Sequence, residues 1–537
     1  MTLLNIWRII HSSKQIYQIR ASRVTKQHEI SQKSGGSKSP CLQCRYLVAI
    51  LGFFVYCLLN ILRVNMSIGI VAMVNVSGIL GIEDLNPENL TLCPLDSNSS
   101  KDLITTEFNG KFEWNSKMQG YILSSSFFGY FMTQAAGGKL AEAYGSKRII
   151  IVGTLISSLC NILSPPAAWC HVYLLIFVQF VRGMGQGLLQ SATCILMASW
   201  FPRTERGFLS TFILSGLCLG AVVGGLLTGV LCNSTFLGGW PSAFYVFGGL
   251  GILLTLILII FLYETPATDP RISNEELKHI SGNQEQEIPY KRPPTPWLKL
   301  LTSVPVYALV FGMFGQVWSG VHFLSIHPTY LGKILHLPIA ENGFFATAPF
   351  VLQAIFSLLG SSFSDWLNRK EYVGVDKVRK SCNLIACLGY SVCVWGIYFT
   401  GCRRTVNIAF SVLAMSFIGF GLAGSMIVPV DMSPTFAGTL MGIGGTISNT
   451  AGFILPVLTG FLTKNGQTTE QWNKVFLISV IVVLSSGIFF FFFGSAEIQP
   501  WNFSSEELSK CNTVTCKKET NLERKENDFN SDIINHI

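Results

Sequence analysis

Runs of about twenty apolar residues recur along this chain, and as helices each is long enough to cross the roughly 30 Å hydrocarbon core of a bilayer. Polar breaks separate them. The first six cover residues 46–74, 118–138, 149–169, 172–200, 208–232 and 243–263. A stretch rich in Glu, Lys, Arg and Pro follows at 264–303, too polar to span, and it reads as a cytosolic linker. Six further runs cover 305–326, 343–363, 381–401, 406–430, 436–462 and 474–494. The expected fold is an all-α membrane protein of twelve transmembrane helices in two six-helix halves, 46–263 and 304–495. Residues 1–45 form a basic N-terminal tail and 496–537 a C-terminal tail. Of the 537 residues 49% are hydrophobic and only 13% charged, a balance that excludes an ordinary water-soluble multidomain protein.

Charge sets the orientation. Residues 1–45 hold eight Lys or Arg against one acid, Glu29, so the positive-inside rule places the N-terminus in the cytosol, and an even span count returns the C-terminus there. The sequons at Asn89 and Asn98, in the loop of about 75–117, and at Asn233, between the fifth and sixth runs, then fall outside and are expected to carry glycans; the one at Asn502 is expected to stay bare. The net charge of +8 lies in tails and short loops, where topology accounts for it, so nucleic acid is not an expected partner. A mitochondrial presequence is the rival reading of the N-terminal tail; a basic segment held near anionic lipid explains it as well. The expectation is a multi-pass protein of the plasma membrane, ahead of a lysosomal or vesicular membrane and well ahead of mitochondria. Cys57, Cys160, Cys194, Cys218, Cys387 and Cys393 stand singly inside apolar runs as small hydrophobes, and Cys41 with Cys44 is a CxxC without a second pair, so neither a disulfide framework nor a metal site follows.

One short turn concentrates charge: "GKLAEAYGSKR", residues 138–148, with Gly138, Glu142, Gly145, Lys147 and Arg148. It resembles the cytoplasmic signature loop of the major facilitator superfamily at nearly every position. A degraded copy, "SSFSDWLNRK", follows the eighth run, with Asp365 in the place of Glu142 and Arg369 with Lys370 in the place of the basic pair. The offset, 365 − 142 = 223 residues, is that of an internal repeat of two halves. These charges suit a latch between neighbouring helix ends that breaks as the halves rock; a plain positive-inside loop is the alternative.

Inside the membrane the informative residues are two arginines. Arg63 lies deep in the first run and Arg182 in the fourth, at a cost of at least about 2.5–3.5 kcal/mol each on insertion scales. No acid accompanies them within the runs, so they leave a positive cavity, and a planar guanidinium fork suits carboxylate or phosphate. Pairing with helix-end carbonyls is the alternative for both. Tyr130, Gln134 and Trp318 either line such a cavity or serve packing.

The segments "LRVNMS", "WNSKMQGYILSSSFFGYFMTQAAGG", "WFPRTERG", "GWPSAFYVFGGLG", "PTYL" with "ENGFFATAPF", and "DMSPTFAG" resemble the family of sialin, the vesicular glutamate transporters and the sodium-phosphate cotransporters, over roughly residues 41–501. The resemblance implies a rocker-switch transporter of organic anions or phosphate, and it implies that Arg63 is an anion ligand. The chain departs from the family where sialin-like members have an Arg (here Gln179) and a proton-coupling Glu (here Gln186), and where vesicular glutamate transporters have an Arg (here Gln316). Arg182, one turn after Gln179, is the expected substitute. Glutamine does not titrate, so sodium or the membrane potential is the expected driving force, with His322, His327 and Asp431 as remaining titratable candidates. The expected binding set is Arg63, Arg182, Gln186, Gln179, Gln316 and Tyr130, acting as a monomer on a small anionic substrate with a coupling cation, in the lipid bilayer. No cofactor is expected beyond co-transported Na+ or H+. No span clusters the residues an enzyme needs. A proton-coupled sialin-like exporter of acidic sugars or amino acids from lysosomes or vesicles, and a non-transporting receptor-like member of the fold, are the alternatives.

Overall fold

The computed structural model describes residues 43–74, 112–114, 116–202, 204–282, 294–335, 339–370, 374–463 and 468–502. Asn89, Asn98, the tails 1–42 and 503–537, and the side chain of Arg369 lie outside the described residues. Apart from one isolated bridge, Val74 to Phe112, the regular elements are helical. The N-terminal bundle holds α1 (Cys44–Met73), α2 (Ser116–Tyr144), α3 (Ser146–Cys170), α4 (Val172–Trp200), α5 (Arg206–Asn233) and α6 (Pro241–Phe261). Two short helices follow, α7 (Asn274–Gly282) and α8 (Trp297–Leu301). The C-terminal bundle begins with α9 (Val304–Val321), which runs through a π turn at His322–Ile326 into α10 (His327–Lys333). It continues with α11 (Ile339–Arg369), α12 (Val375–Thr400), α13 (Arg404–Leu422), the single turn α14 (Val428–Met432), α15 (Ala437–Ser448), α16 (Ala451–Leu462) and α17 (Thr469–Phe493).

Among the described residues, eleven segments are long and apolar enough to cross a membrane. The second expected span, α2, is not one of them despite its 29 residues. Its hydropathy is lowered by the serines at 124–126, Gln134, Lys139 and Glu142, of which Gln134 and Glu142 hold it to other helices. Hydroxyls inside the apolar helices are satisfied locally: Thr154, Ser157, Ser158 and Ser164 of α3 each donate to the carbonyl four residues back, at 2.7–2.8 Å. Helices also approach one another over small residues. On α5, Gly216, Gly220 and Gly224 recur every four residues, and a Cβ on any of them would run into the backbone of α1 at Phe53, Cys57 or Ile61.

Within the N-terminal bundle α2 packs on α4, α1 on α5, and α3 on α4 and α6; within the C-terminal bundle α12 packs on α13 and α17, α11 on α13, and α9 on α17. The bundles meet where α11 lies on α5 and α15 lies on α2 and α4. Because successive helices are antiparallel, the end bearing residues 138–148 also holds the starts of α1, α3 and α5; it is called here the latch end.

The stretch expected as a linker is bound to the bundle in part. Glu264 takes the first amides of α3, from Ser146 (2.6 Å) and Lys147 (2.9 Å), beside Gly145, whose φ of +98° suits only glycine. Glu276 of α7 takes the first amides of α1, from Cys44 (3.1 Å) and Arg45 (3.0 Å). Ile280 and Leu300 are buried. Cysteine usage also departs from expectation at one point: Cys402 is disulfide-bonded, whereas the six thiols named above are free and buried.

Asn233 is exposed at the end opposite the latch, whereas Asn502 is 2% exposed at the latch end with its side chain bonded to Ser433. Removing each sequon without touching its asparagine tests this. Thr235→Ala is expected to remove one glycosidase-sensitive step in electrophoretic mobility, and Ser504→Ala to leave mobility unchanged; a shift with Ser504→Ala would contradict the orientation.

Candidate functional site

Arg63 projects from the middle of α1 and is half-buried. Its guanidinium lies over two rings of α2, Phe127 at 5.4 Å and Tyr130 at 5.1 Å from the ring centres. The Tyr130 hydroxyl is turned toward Arg63 and toward Asn449, which stands between α15 and α16 in the other bundle. Arg182 of α4 is 1% exposed, and its Nη1 donates to the carbonyl of Leu62 at 2.9 Å, the peptide directly preceding Arg63. The Arg182 Nε is buried without a partner. The two positive charges repel each other, and among the described residues neither has a carboxylate within ion-pair distance. A carbonyl inside α1, not one at a helix end, thus takes one nitrogen of Arg182.

The glutamines are not gathered around Arg63. Gln179 turns to α3, donating to Ser164 Oγ at 2.9 Å; Gln186 donates to the Leu59 carbonyl of α1 at 3.4 Å; Gln316 pairs inside the C-terminal bundle with Asn383 at 3.3 Å. Each of the three glutamine amides is spent on a partner in its own bundle. Trp318 likewise packs away, donating to Ser479 at 3.2 Å. His322 and His327 are buried, with Nδ1 of the first 2.5 Å from Tyr390 Oη and Nε2 of the second 2.7 Å from Ser411 Oγ. Gln134 instead joins the bundles: it donates to Gln190 of α4 at 3.2 Å and accepts from Asn449 at 3.1 Å. Asn449 is a residue the sequence reading missed, since a lone asparagine in an apolar run shows only that the helix can break there.

At the latch end the expected charges do cross between bundles, but onto backbone. Glu142, at the end of α2, accepts from the Thr439 amide (2.7 Å) and the Thr439 hydroxyl (2.8 and 2.7 Å) at the start of α15. Gly138 lies against the Gly438 backbone and leaves no room for a Cβ. Asp365, at the end of α11, accepts from the Phe208 amide at 2.6 Å at the start of α5. Each carboxylate meets free N–H groups and the positive end of a helix dipole. Lys147 does not cross: it donates to the Ile259 carbonyl at 3.1 Å and lies over Tyr263 in its own bundle, while Arg148 is exposed. A basic charge that does cross is Arg206 of α5. Its Nη1 is 3.3 Å from Asp431 Oδ1, while Arg379 of α12 holds Asp431 Oδ2 at 3.0 Å, all three being buried. Asp431, one of the titratable candidates, is the centre of an ion triad. Arg206 stands in the quoted "WFPRTERG" segment, whereas Arg379, in "KVRKS", looks like one more positive-inside charge.

Two helical bundles joined by a buried interface, with arginines near the middle and carboxylate locks at one end, define a membrane transporter architecture. The match to the Major Facilitator Superfamily model over residues 48–430 places the chain in that family, which comprises transporters and not enzymes. Within it the chain belongs with anion transporters. It is 33% identical to a Drosophila melanogaster protein named as a candidate inorganic phosphate cotransporter, over 88% of each chain. It is 32% identical to human sialin (86% of this chain, 91% of the relative) and 30% identical to bovine vesicular glutamate transporter 2 (100% and 89%). Among solved structures, the proton:xylose symporter XylE aligns with a TM-score of 0.60 at 14% identity (85% of this chain, 97% of that one) and the Escherichia coli fucose:proton symporter FucP with 0.54 (83% and 98%). At that identity they show the shared fold alone.

The triad yields a stability prediction. Asp431→Ala would leave Arg206 and Arg379 as buried cations facing each other, a loss of about 3–5 kcal/mol. The purified protein should show a clearly lower thermal midpoint, and an unchanged midpoint would mean that the triad is not a structural lock.

Proposed function

We propose that this protein is a secondary active transporter of organic anions or inorganic phosphate, working by alternating access and driven by sodium or the membrane potential. The observation that carries this reading is the pair of guanidiniums, Arg63 and Arg182, joined through the Leu62 carbonyl and without a carboxylate. An anion entering from the end opposite the latch would meet Arg63 on its aromatic seat, relieve the repulsion between the arginines, and so favour closure around itself. Tyr130 and Asn449 would carry that change to the other bundle, and the locks at Glu142, Asp365 and Asp431 would then open. Gln186, which cannot titrate, supports a coupling ion other than a proton relayed through that position.

In this reading α2 is the twelfth span, the latch end and both tails face the cytosol, residues 264–303 cross between halves on that side, Asn89, Asn98 and Asn233 carry glycans, and the protein acts as a monomer. It is a multi-pass membrane protein; the expectation of a plasma-membrane location draws no support from the comparisons, since relatives named as vesicular stand beside those named as cotransporters.

Uptake of labelled phosphate, urate, glutamate, sialic acid and p-aminohippurate into expressing cells, with and without sodium and at two membrane potentials, tests the proposal. One anion should accumulate in a sodium- or voltage-dependent way. Arg63→Ala should abolish that uptake, and Arg182→Ala should raise KM about tenfold or more, the effect of losing a charge-assisted contact. Uptake that follows pH alone would replace the coupling with protons; unchanged uptake in Arg63→Ala would remove the anion site.

A further inference from the structure

Residues 431–439 grip the N-terminal bundle at both ends, Asp431 through Arg206 and Thr439 through Glu142. Between these grips the chain leaves α14 and turns through Ser433, Pro434, Thr435 and Phe436 before α15 begins. A turn of this kind does not by itself fix where the first amides of α15 point.

The segment after α17 does. It folds back across the latch end, where the Ala496 amide donates to Asp376 at 2.7 Å and the Gln499 amide to the Met432 carbonyl at 3.0 Å. Asn502 Oδ1 then accepts from Ser433 Oγ at 2.6 Å and from the Thr435 amide at 3.3 Å, and Ser433 Oγ in turn accepts from the Phe436 amide at 3.2 Å. Trp501 is buried with its ring 6.5 Å from that of Phe436.

We propose that Asn502, with Trp501 seated on Phe436, is a positioning residue for the transport cycle: it fixes the 433–436 turn so that Thr439 presents its amide and hydroxyl to Glu142. Asn502 touches no substrate and acts through Thr439. One carboxamide oxygen serves two buried donors, so alanine would strand both and aspartate would keep both. The inference concerns closure of the latch end and is independent of which anion is carried.

Hydrogen exchange of the full-length protein in lipid nanodiscs, read by mass spectrometry, tests it without any transport measurement. In Asn502→Ala, peptides covering 437–445, 138–148 and 206–210 should exchange at least about fivefold faster than in the parent, the factor expected when a buried partner is lost, while peptides of α12 and α13 stay unchanged. Asn502→Asp should restore slow exchange. If Asn502→Ala does not fold, Ser433→Ala, which removes one of the two donors, takes its place with the same expectation. Faster exchange confined to 433–436, with 138–148 and 206–210 unchanged, would overturn the proposal, as would Asn502→Asp behaving like Asn502→Ala.

Discussion

The Glu142 carboxylate on the first turn of α15 is the contact on which the closed form of this protein depends. Its counterpart is Asp365 on the first turn of α5. In each case the second helix of one bundle ends in an acid that caps the fifth long helix of the other, and the exchange is reciprocal, as the 223-residue repeat implies. A helix start offers several unpaired N–H groups and a partial positive charge, and Glu142 takes these beside Lys139, whose Nζ lies 3.6 Å away. That leaves the arginines of the membrane interior free of acids. The anion-seeking character of Arg63 and Arg182 and the use of the acids at helix ends are two sides of one distribution of charge.

The same economy explains why α2 is the most polar of the long helices. It carries Phe127 and Tyr130 under Arg63, Gln134 between α4 and Asn449, Gly138 against Gly438, and Glu142 on α15. These contacts run along one helix from the arginine to the latch. A ligand that shifts Arg63 therefore acts on the element that also holds the bundles together, the physical requirement for coupling occupancy to opening.

Much of the fold was legible because hydropathy over about twenty residues is set by composition alone, and the expected runs fall on helices whose ends differ from the expected ones by up to about eight residues. Glu142 and Asp365 were legible because they repeat. Their partners were not, since both carboxylates take backbone amides, at Thr439 and Phe208, which no side-chain letter marks, and the Thr439 hydroxyl is one among many in the apolar runs. Arg182 was rightly singled out, but its carbonyl partner beside Arg63 depends on how α1 and α4 pack. Lys147 was assigned to the latch by proximity in sequence, and it serves its own bundle because Gly145 turns the chain back onto α6. Glu264 and Glu276 were read as linker charge, and helix starts again claimed them.

The central claim is that the two carboxylate caps hold the latch end shut. The most direct measurement is the distance between spin labels at Tyr144 and Lys370, both exposed at that end, in the reconstituted protein with its other reactive cysteines replaced, before and after Glu142→Ala with Asp365→Ala. A narrow short distance in the parent that moves to a longer one in the double variant is the predicted result. An identical distribution in both would contradict the account, because the bundles would then be held together by something other than the caps.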